Sequence, residues 1–370
     1  MKFKVVIIGF LVLLFPAGFV YADGHSAKSG PQKIEKSIAT LPTVAVSLCV
    51  DSGDVTVRGW DKNEVLARSS EVGRIELKSA LGSQPGGAAK VLVWLVDKEM
   101  GVEDKSGCDA FGDVELMVPR GASVYLQTGD GSIQVGDVAS VFARSETGDI
   151  SIKKTTGSVE AVSFSGEISV ENATGRMSLK SVSGIINAAN LRANDQYDCF
   201  EASTISGDIQ LNELAHQQVS VKTANGKIDF SGPLARQGQY TFNTTSSDVT
   251  LSLPANASFR LNARVARDRE VTSDFPLTLT IEDPVHGNPH KPEPESLPEP
   301  APLPKPAPEQ KETIAVIADP QDRVIKVKPV IVKTMYSLRR INALHGSGDA
   351  LITIASFSGA VHLIDSGNHD

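Results

Sequence analysis

The sequence predicts an all-β chain, a right-handed β-helix or β-solenoid of about nine two-strand coils with a proline-rich insertion before the last coil. Three observations predict it. Residues 139–191 divide into successive lines of nine, with Gly148, Gly157, Gly166, Gly175 and Gly184 at one fixed spacing. Within each line the third and fifth places are apolar and their neighbours polar, the period-two pattern of a half-buried strand. Along the wider chain these lines pair into units of about 18 residues, and the second member of each pair opens on a recurring signature.

That signature is a small polar residue, a glycine, any residue, and then Ile or Val. The glycines are Gly53, Gly131, Gly148, Gly166, Gly184, Gly207, Gly226 and Gly359, with Ser247 standing in for a ninth. The branched residues are Val55, Ile133, Ile150, Ile168, Ile186, Ile209, Ile228, Val249 and Val361. Stacked at an inter-strand spacing of ~4.8 Å, they would form one apolar ladder inside a solenoid. The glycines would mark its corners by supplying positive φ, with the preceding polar residue bonding to local backbone. A hairpin meander competes, because Ser-Gly and Asp-Gly also suit tight hairpins. The nine-residue unit favours the solenoid.

In chain order, residues 1–22 carry Lys2 and Lys4, an apolar run and small residues at a cleavage point, which predicts a secretory signal peptide. An uncleaved anchor is the other reading of the run, and no later stretch is long and apolar enough to span a membrane. Residues 23–43 read as a polar tether, and 44–282 as the solenoid domain, with 60–120 as irregular early coils or a cap over the exposed edge. Residues 283–312 read as a proline-rich linker holding extended polyproline II, 313–338 as inserted strands, 339–365 as the final coil and 366–370 as a tail.

Several stretches resemble the bacterial putative-adhesin β-solenoid family: SGDVTVRGWDKNEVLARSS, VELMVPRGASVYLQTGDGSIQV, the TGDI, SGEI and SGDI turns, LPANASFRLNAR before TSDFPLTL, and the closing GSGDALITIASFSGAVHL. The resemblance covers roughly residues 44–282 and 340–364. It implies an extracytoplasmic β-helical domain of unknown function, presumed to bind or scaffold, with no established catalytic residues. The long proline-rich insertion departs from the family pattern.

The residues themselves point away from catalysis. The formal charge of −8, without a basic stripe interleaved with aromatics, argues against nucleic acid as a partner. G-x-S-x-G, H-E-x-x-H, P-loop and C-x-x-C motifs are absent from the sequence. A calcium roll would need an acid after each repeat glycine, but Asp149, Ser158, Glu167, Arg176 and Ile185 follow. Asp54, Asp149, Asp208 and Asp349 therefore read as solvated turn residues. His286 and His290 could clip a metal but lie in the proline-rich stretch, and His216, His345 and His362 have no partner at ligand spacing, so no metal or cofactor is expected. Cys49, Cys108 and Cys199 read as ordinary strand residues, with one pairing possible after export and no basis for choosing the pair.

The outward places of the central block, Ser151, Lys153, Glu160, Ser169, Glu171, Ser178, Lys180 and Asn187, suggest a mixed surface for glycan or protein. Lys326, Lys328, Lys333, Arg339 and Arg340 form a local basic stretch suited to an anionic envelope polymer or lipid headgroups. The expected function is that of an exported, non-catalytic adhesin-like or envelope-scaffolding module, periplasmic or at the cell surface, meeting an envelope polymer, glycan or protein. An envelope-stress or signalling accessory of the same fold and a carbohydrate-active β-helix are the alternatives.

Overall fold

The computed structural model describes residues 34–70, 74–79, 87–96, 108, 110–282 and 338–367. Its regular elements are all strands. They run β1 (Ile34–Ser52), β2 (Val55–Trp60), β3 (Glu64–Ser69), β4 (Arg74–Ser79), β5 (Ala88–Val96) and β6 (Val114–Pro119). The repeating pairs follow: β7 (Ser123–Asp130) with β8 (Ile133–Gly136), β9 (Ser140–Ser145) with β10 (Ile150–Lys153), and β11 (Val159–Ser163) with β12 (Ile168–Glu171). Next come β13 (Met177–Ser181) with β14 (Ile186–Arg192), β15 (Cys199–Ser203) with β16 (Ile209–Ala215), β17 (Gln218–Lys222) with β18 (Ile228–Ser231), and β19 (Gln239–Thr244) with β20 (Val249–Leu253). The last elements are β21 (Phe259–Ala266), β22 (Val271–Ser273), β23 (Thr278–Glu282), β24 (Leu338–His345), β25 (Ala350–Ser356) and β26 (Val361–Asp365).

Consecutive strands do not pair as hairpins in the repeat; each pairs in parallel with its equivalent one unit away. Ile150 lies beside Ile133 and Ile168, and Val159 beside Val141 and Met177. Two sheets result. The first carries β6, β2, β8, β10, β12, β14, β16, β18, β20, β26 and β22 in that order. The second carries β5, β1, β7, β9, β11, β13, β15, β17, β19, β25 and β21. The nine Ile and Val residues of the signature are all 0% exposed, which places the ladder between the sheets. Because strand periodicity alternates faces, the polar residues between them must point outward.

The ends break both the parallel rule and the sequence order. The β5–β6 pair stacks outside β1–β2, although it follows in the chain. At the other end β25 enters between β19 and β21, and β26 between β20 and β22, so the C-terminal pair is one layer in from the edge. Antiparallel strands finish the stack: β4 on β5, β3 on β6, and β24 with β23 beyond β21. Switching from parallel to antiparallel pairing ends the repeat's register, which blunts an edge that would otherwise template further strands.

The first corner is built differently from the sequence expectation. Gly148, Gly166, Gly184, Gly207, Gly226 and Gly359 lie outside the left-handed region; of the eight, only Gly53 (φ 134°) and Gly131 (φ 142°) are in it. What these positions share is crowding. A Cβ on Gly166 would fall on the carbonyl of Gly148, and one on Gly184 on that of Gly166, layer after layer. At those six positions glycine is needed for close backbone approach rather than for φ, and at Gly53 and Gly131 for both. The positive φ is at the second corner, four residues after the Ile: Asp137, Lys154, Asn172, Asn190 and Glu213 have φ of 53–59°, and Gly232 follows in the same column.

A polar column locks the first corner. Ser145, Ser163, Ser181 and Ser356, each three residues before the glycine and each buried, accept its N–H at 2.8–3.0 Å. Thr204, Thr223 and Thr244 in the same column donate to the glycine carbonyl of the adjoining layer at 3.1–3.3 Å. The turn aspartates are also engaged. Asp54, Asp149, Asp208 and Asp248 accept the backbone N–H of Ser132, Glu167, Lys227 and Ala360 at 2.7–2.8 Å, joining neighbouring layers.

Two further expectations are corrected. Cys49 and Cys108 form a disulfide, which ties β1 to the segment before β6; Cys199 is free and partly exposed. Structure also starts before Val44. Residues 34–39, the end of the expected tether, pair antiparallel with β3, and Arg68 bonds Glu35 at 2.8 Å. Ile34 and Ile38 pack against the core four residues apart with Lys36 exposed between them, so strict apolar alternation is missing there. Residues 1–33 and 283–337, and with them the signal peptide, linker and inserted-strand expectations, lie outside the described residues.

Candidate functional site

The parallel register gives each outward position a column of its own. On the first sheet one column runs Ser151, Ser169, Asn187, Gln210, Asp229 and Thr250, and its neighbour runs Lys153, Glu171, Ala189, Asn212, Ser231 and Ser252. Where the second column shortens to Ala189, Ser231 and Ser252, a trough of about 740 Å³ opens along the sheet. Amides, hydroxyls and carboxylates line it, among them Glu167, Asn187, Gln210, Asn212, Asp229 and Thr250.

Local contacts orient this lining. Asn187 Nδ2 donates to Glu167 Oε1 at 2.6 Å, and Lys153 Nζ pairs with Glu171 at 3.1 Å. Asn187 Oδ1 is buried in the trough wall with no hydrogen-bond partner. Such a surface offers donors and acceptors at the ladder spacing, which suits a hydroxyl-rich ligand held by many modest hydrogen bonds. Two of its acids are already engaged, Glu167 by an amide and Glu171 by an ammonium.

The expected surface residues separate onto two faces. Ser151, Lys153, Ser169, Glu171 and Asn187 share the first sheet, while Glu160, Ser178 and Lys180 lie on the second. Of the basic stretch, Lys326, Lys328 and Lys333 fall outside the described residues. Arg339 and Arg340 are adjacent on β24 and so point to opposite sides. Arg339 donates to the carbonyl of Arg269 at 2.7 Å, and Arg340 is exposed beside Arg264. No group of three His, Cys, Asp or Glu residues at metal-binding distance occurs among the described residues.

One buried titratable group gave no signal in the sequence. His216 is 0% exposed, with Nε2 at 2.9 Å from the carbonyl of Gly175 and Nδ1 without a partner. Only an acceptor is present at Nε2, so that nitrogen carries the proton. Burial pushes the imidazole pKa below its ordinary value, against a smaller opposing effect of the Gly175 bond. Tyr240, also wholly buried, accepts from Ala235 N at 2.7 Å and donates to the His216 carbonyl at 3.3 Å. His216 therefore braces the corner between layers.

Two stacked sheets of repeating layers, capped at both ends and presenting columns of polar side chains, define a β-solenoid-like repeat protein. The chain belongs to the Toastrack DUF4097 family, which matches residues 23–199 and, in a second overlapping match, 136–275. No curated protein is similar to it in sequence. Among solved structures, a putative cell adhesion protein from Clostridium sporogenes aligns over 90% of this chain and 99% of its own, at 8% identity and a TM-score of 0.19. So distant a likeness carries no argument about this chain's role. Among the described residues, no helix is long and apolar enough to cross a membrane.

Proposed function

We propose that this chain is an exported, non-catalytic binding module of the cell envelope, adhesin-like or scaffolding, that engages a glycan, polymer or protein surface along its sheets. The observation that carries this reading is the trough on the first sheet, a long lining of amides and hydroxyls at one spacing. In this reading a signal peptide directs export to the periplasm or cell surface, and the chain winds as a right-handed solenoid of about nine coils. In the same reading residues 283–312 serve as a proline-rich linker, and Lys326, Lys328, Lys333, Arg339 and Arg340 are the docking residues for an anionic envelope polymer.

Retention of the purified chain by intact envelopes, with and without residues 283–338, tests it. Saturable retention without turnover of envelope polysaccharide is the expected result. Hydrolysis or elimination of any polysaccharide would overturn the non-catalytic assignment, and absence of retention would overturn the binding role. Replacing Asn187, Gln210 and Asn212 by Ala should weaken retention if the trough is the contact surface.

A further inference from the structure

The second sheet presents a different surface from the trough. Its outward column reads Gln127, Arg144, Val162, Lys180, Ser203, Lys222, Asn243, Ala355, Arg264 and Arg340 in spatial order. An acidic chain has thus placed five cations in one line with no carboxylate residue between them, Glu282 following only beyond Arg340. From Arg144 the next cations follow at two, two, three and one ladder steps, or ~10, ~10, ~14 and ~5 Å. All five are exposed. Among the described residues, none of Arg144, Lys180, Lys222 and Arg264 forms an ion pair. Arg340 lies opposite Glu282 in the β23–β24 register, so the argument rests on the other four.

We infer that this column is a docking line for a single linear anionic polysaccharide lying along the rod, which rests on the envelope-binding reading above and names a ligand class for it. The flanking columns select a single file. Glu160 and Glu201 lie on one side of the basic line and Glu146 near the corner on the other, all exposed. A flat anionic membrane would press headgroups against those acids, whereas one chain in the line avoids them. The spacing also disfavours nucleic acid, whose duplex carries a charge about every 1.7 Å of axis.

The ends of the line favour sugar over a plain polyanion. Beside Gln127 and Arg144 a groove of about 330 Å³ is walled by Leu92, Trp94, Tyr125 and Phe142. The Tyr125 and Phe142 ring centroids are 6.2 Å apart, and Tyr125 is 50% exposed. Such rings offer flat apolar faces, with a polar rim at the Tyr125 hydroxyl, to which the C–H face of a pyranose is complementary. At the far end Asn243, Asn262, Asn342 and Thr353 surround Arg264 and Arg340 in a second groove of about 390 Å³, where amides can bond hydroxyls beside the charge.

The test compares polygalacturonate, a linear polyuronate, with its methyl ester, which keeps the sugar backbone and removes the charge. Binding of the full chain is measured by calorimetry at several salt concentrations. Arg144→Gln/Lys180→Gln/Lys222→Gln should weaken polygalacturonate binding about tenfold and flatten its salt dependence. A control triple of equal charge change, Lys36→Gln/Lys62→Gln/Lys227→Gln, should change it less than about twofold. Equal weakening by both triples, or ester bound as tightly as polyuronate, would overturn the docking line. Phosphatidylglycerol vesicles or single-stranded DNA bound more tightly than polygalacturonate through the same three residues would overturn the polysaccharide assignment. Envelope retention that persists while the column triple leaves polygalacturonate binding unchanged defeats this inference alone. Column-dependent polyuronate binding without envelope retention defeats the broader reading alone.

Discussion

Replacing Gly166 by Ala separates two explanations of the repeat glycines, because they predict opposite signs. Gly166 lies outside the left-handed region. If conformation alone mattered, alanine would stabilise the fold by about 0.4–1 kcal/mol through the unfolded chain. The structure instead puts the new Cβ on the carbonyl of Gly148, which is backbone and cannot swing aside. Relief requires the two layers to part. The contacts that cross this gap are Ser165 N to the Glu146 carbonyl at 3.0 Å, and Glu167 N to Asp149 Oδ1 and Ile150 N to the Glu167 carbonyl, each 2.8 Å. At about 1 kcal/mol each, with some loosening of the buried Ile168, the cost is about 3–5 kcal/mol. Ser247 occupies this column in one layer, so a graded cost is expected rather than loss of the fold. Urea unfolding followed by far-UV circular dichroism reads the change. Gly136→Ala is the companion: its Cβ would meet only the Lys153 carbonyl at 4.0 Å, so it should be neutral or stabilising by about 0.5 kcal/mol. A Gly166→Ala protein as stable as the parent, or two variants that behave alike, would refute the close-approach argument.

Three other outcomes are expected. Loss of the Cys49–Cys108 bridge, whose partners are 59 residues apart, should cost up to about 4 kcal/mol by loop-closure entropy, read as a lower urea midpoint for a Cys49→Ala/Cys108→Ala protein; an unchanged midpoint would mean that the β1–β6 region is held by packing alone. His216 is depressed in the folded state, so the unfolded chain binds more protons below pH 6.5; stability should be intact above that pH and fall as pH drops toward the folded pKa, by at most about 1.4 kcal/mol per unit. His216→Gln should flatten that limb, and an equally steep acid limb in the variant would assign it to other groups. Ile168→Asp places an unpaired carboxylate in the buried ladder and should prevent folding, or raise that carboxyl's pKa far above the usual range, so a stable variant with a normal carboxylate would contradict the inward assignment.

The apolar ladder was legible because Ile133, Ile150, Ile168 and their equivalents recur at a spacing that only stacked layers turn into contacts. The reason for the glycines was not. Sequence displays neighbours along the chain, whereas the crowding at Gly166 comes from Gly148 in the layer beneath. The left-handed column carries no uniform mark in sequence, because Lys154 and Glu213 share it with the more usual Asp137, Asn172 and Asn190. The Ser or Thr three places before the glycine was visible in the spacing but hidden among many other hydroxyls, and burial alone distinguishes it. The disulfide was hidden because β5–β6 stacks outside β1–β2, which brings together cysteines with no local relation. The trough and the basic column follow from outward alternation, yet their separation onto two faces required knowing which strand belongs to which sheet.

The placement of β25–β26 inside the stack bears on how the chain is assembled. These strands are synthesised after β21–β24 but must lie between β19–β20 and β21–β22. Until they arrive, β21 has no parallel neighbour on that side and the antiparallel strands β24 and β23 beyond it are anchored to nothing in the rod. The C-terminal residues thus act as a keystone: the ordered layers on either side can be joined only when the last strands slot in. A chain cut at residue 345 would lose an internal course of the wall together with the purchase of everything stacked above it, and the unpaired strands of β19 and β20 would face solvent. The stack is thus closed from within by strands that come late in the chain order, and a product lacking them would present an open edge to proteases.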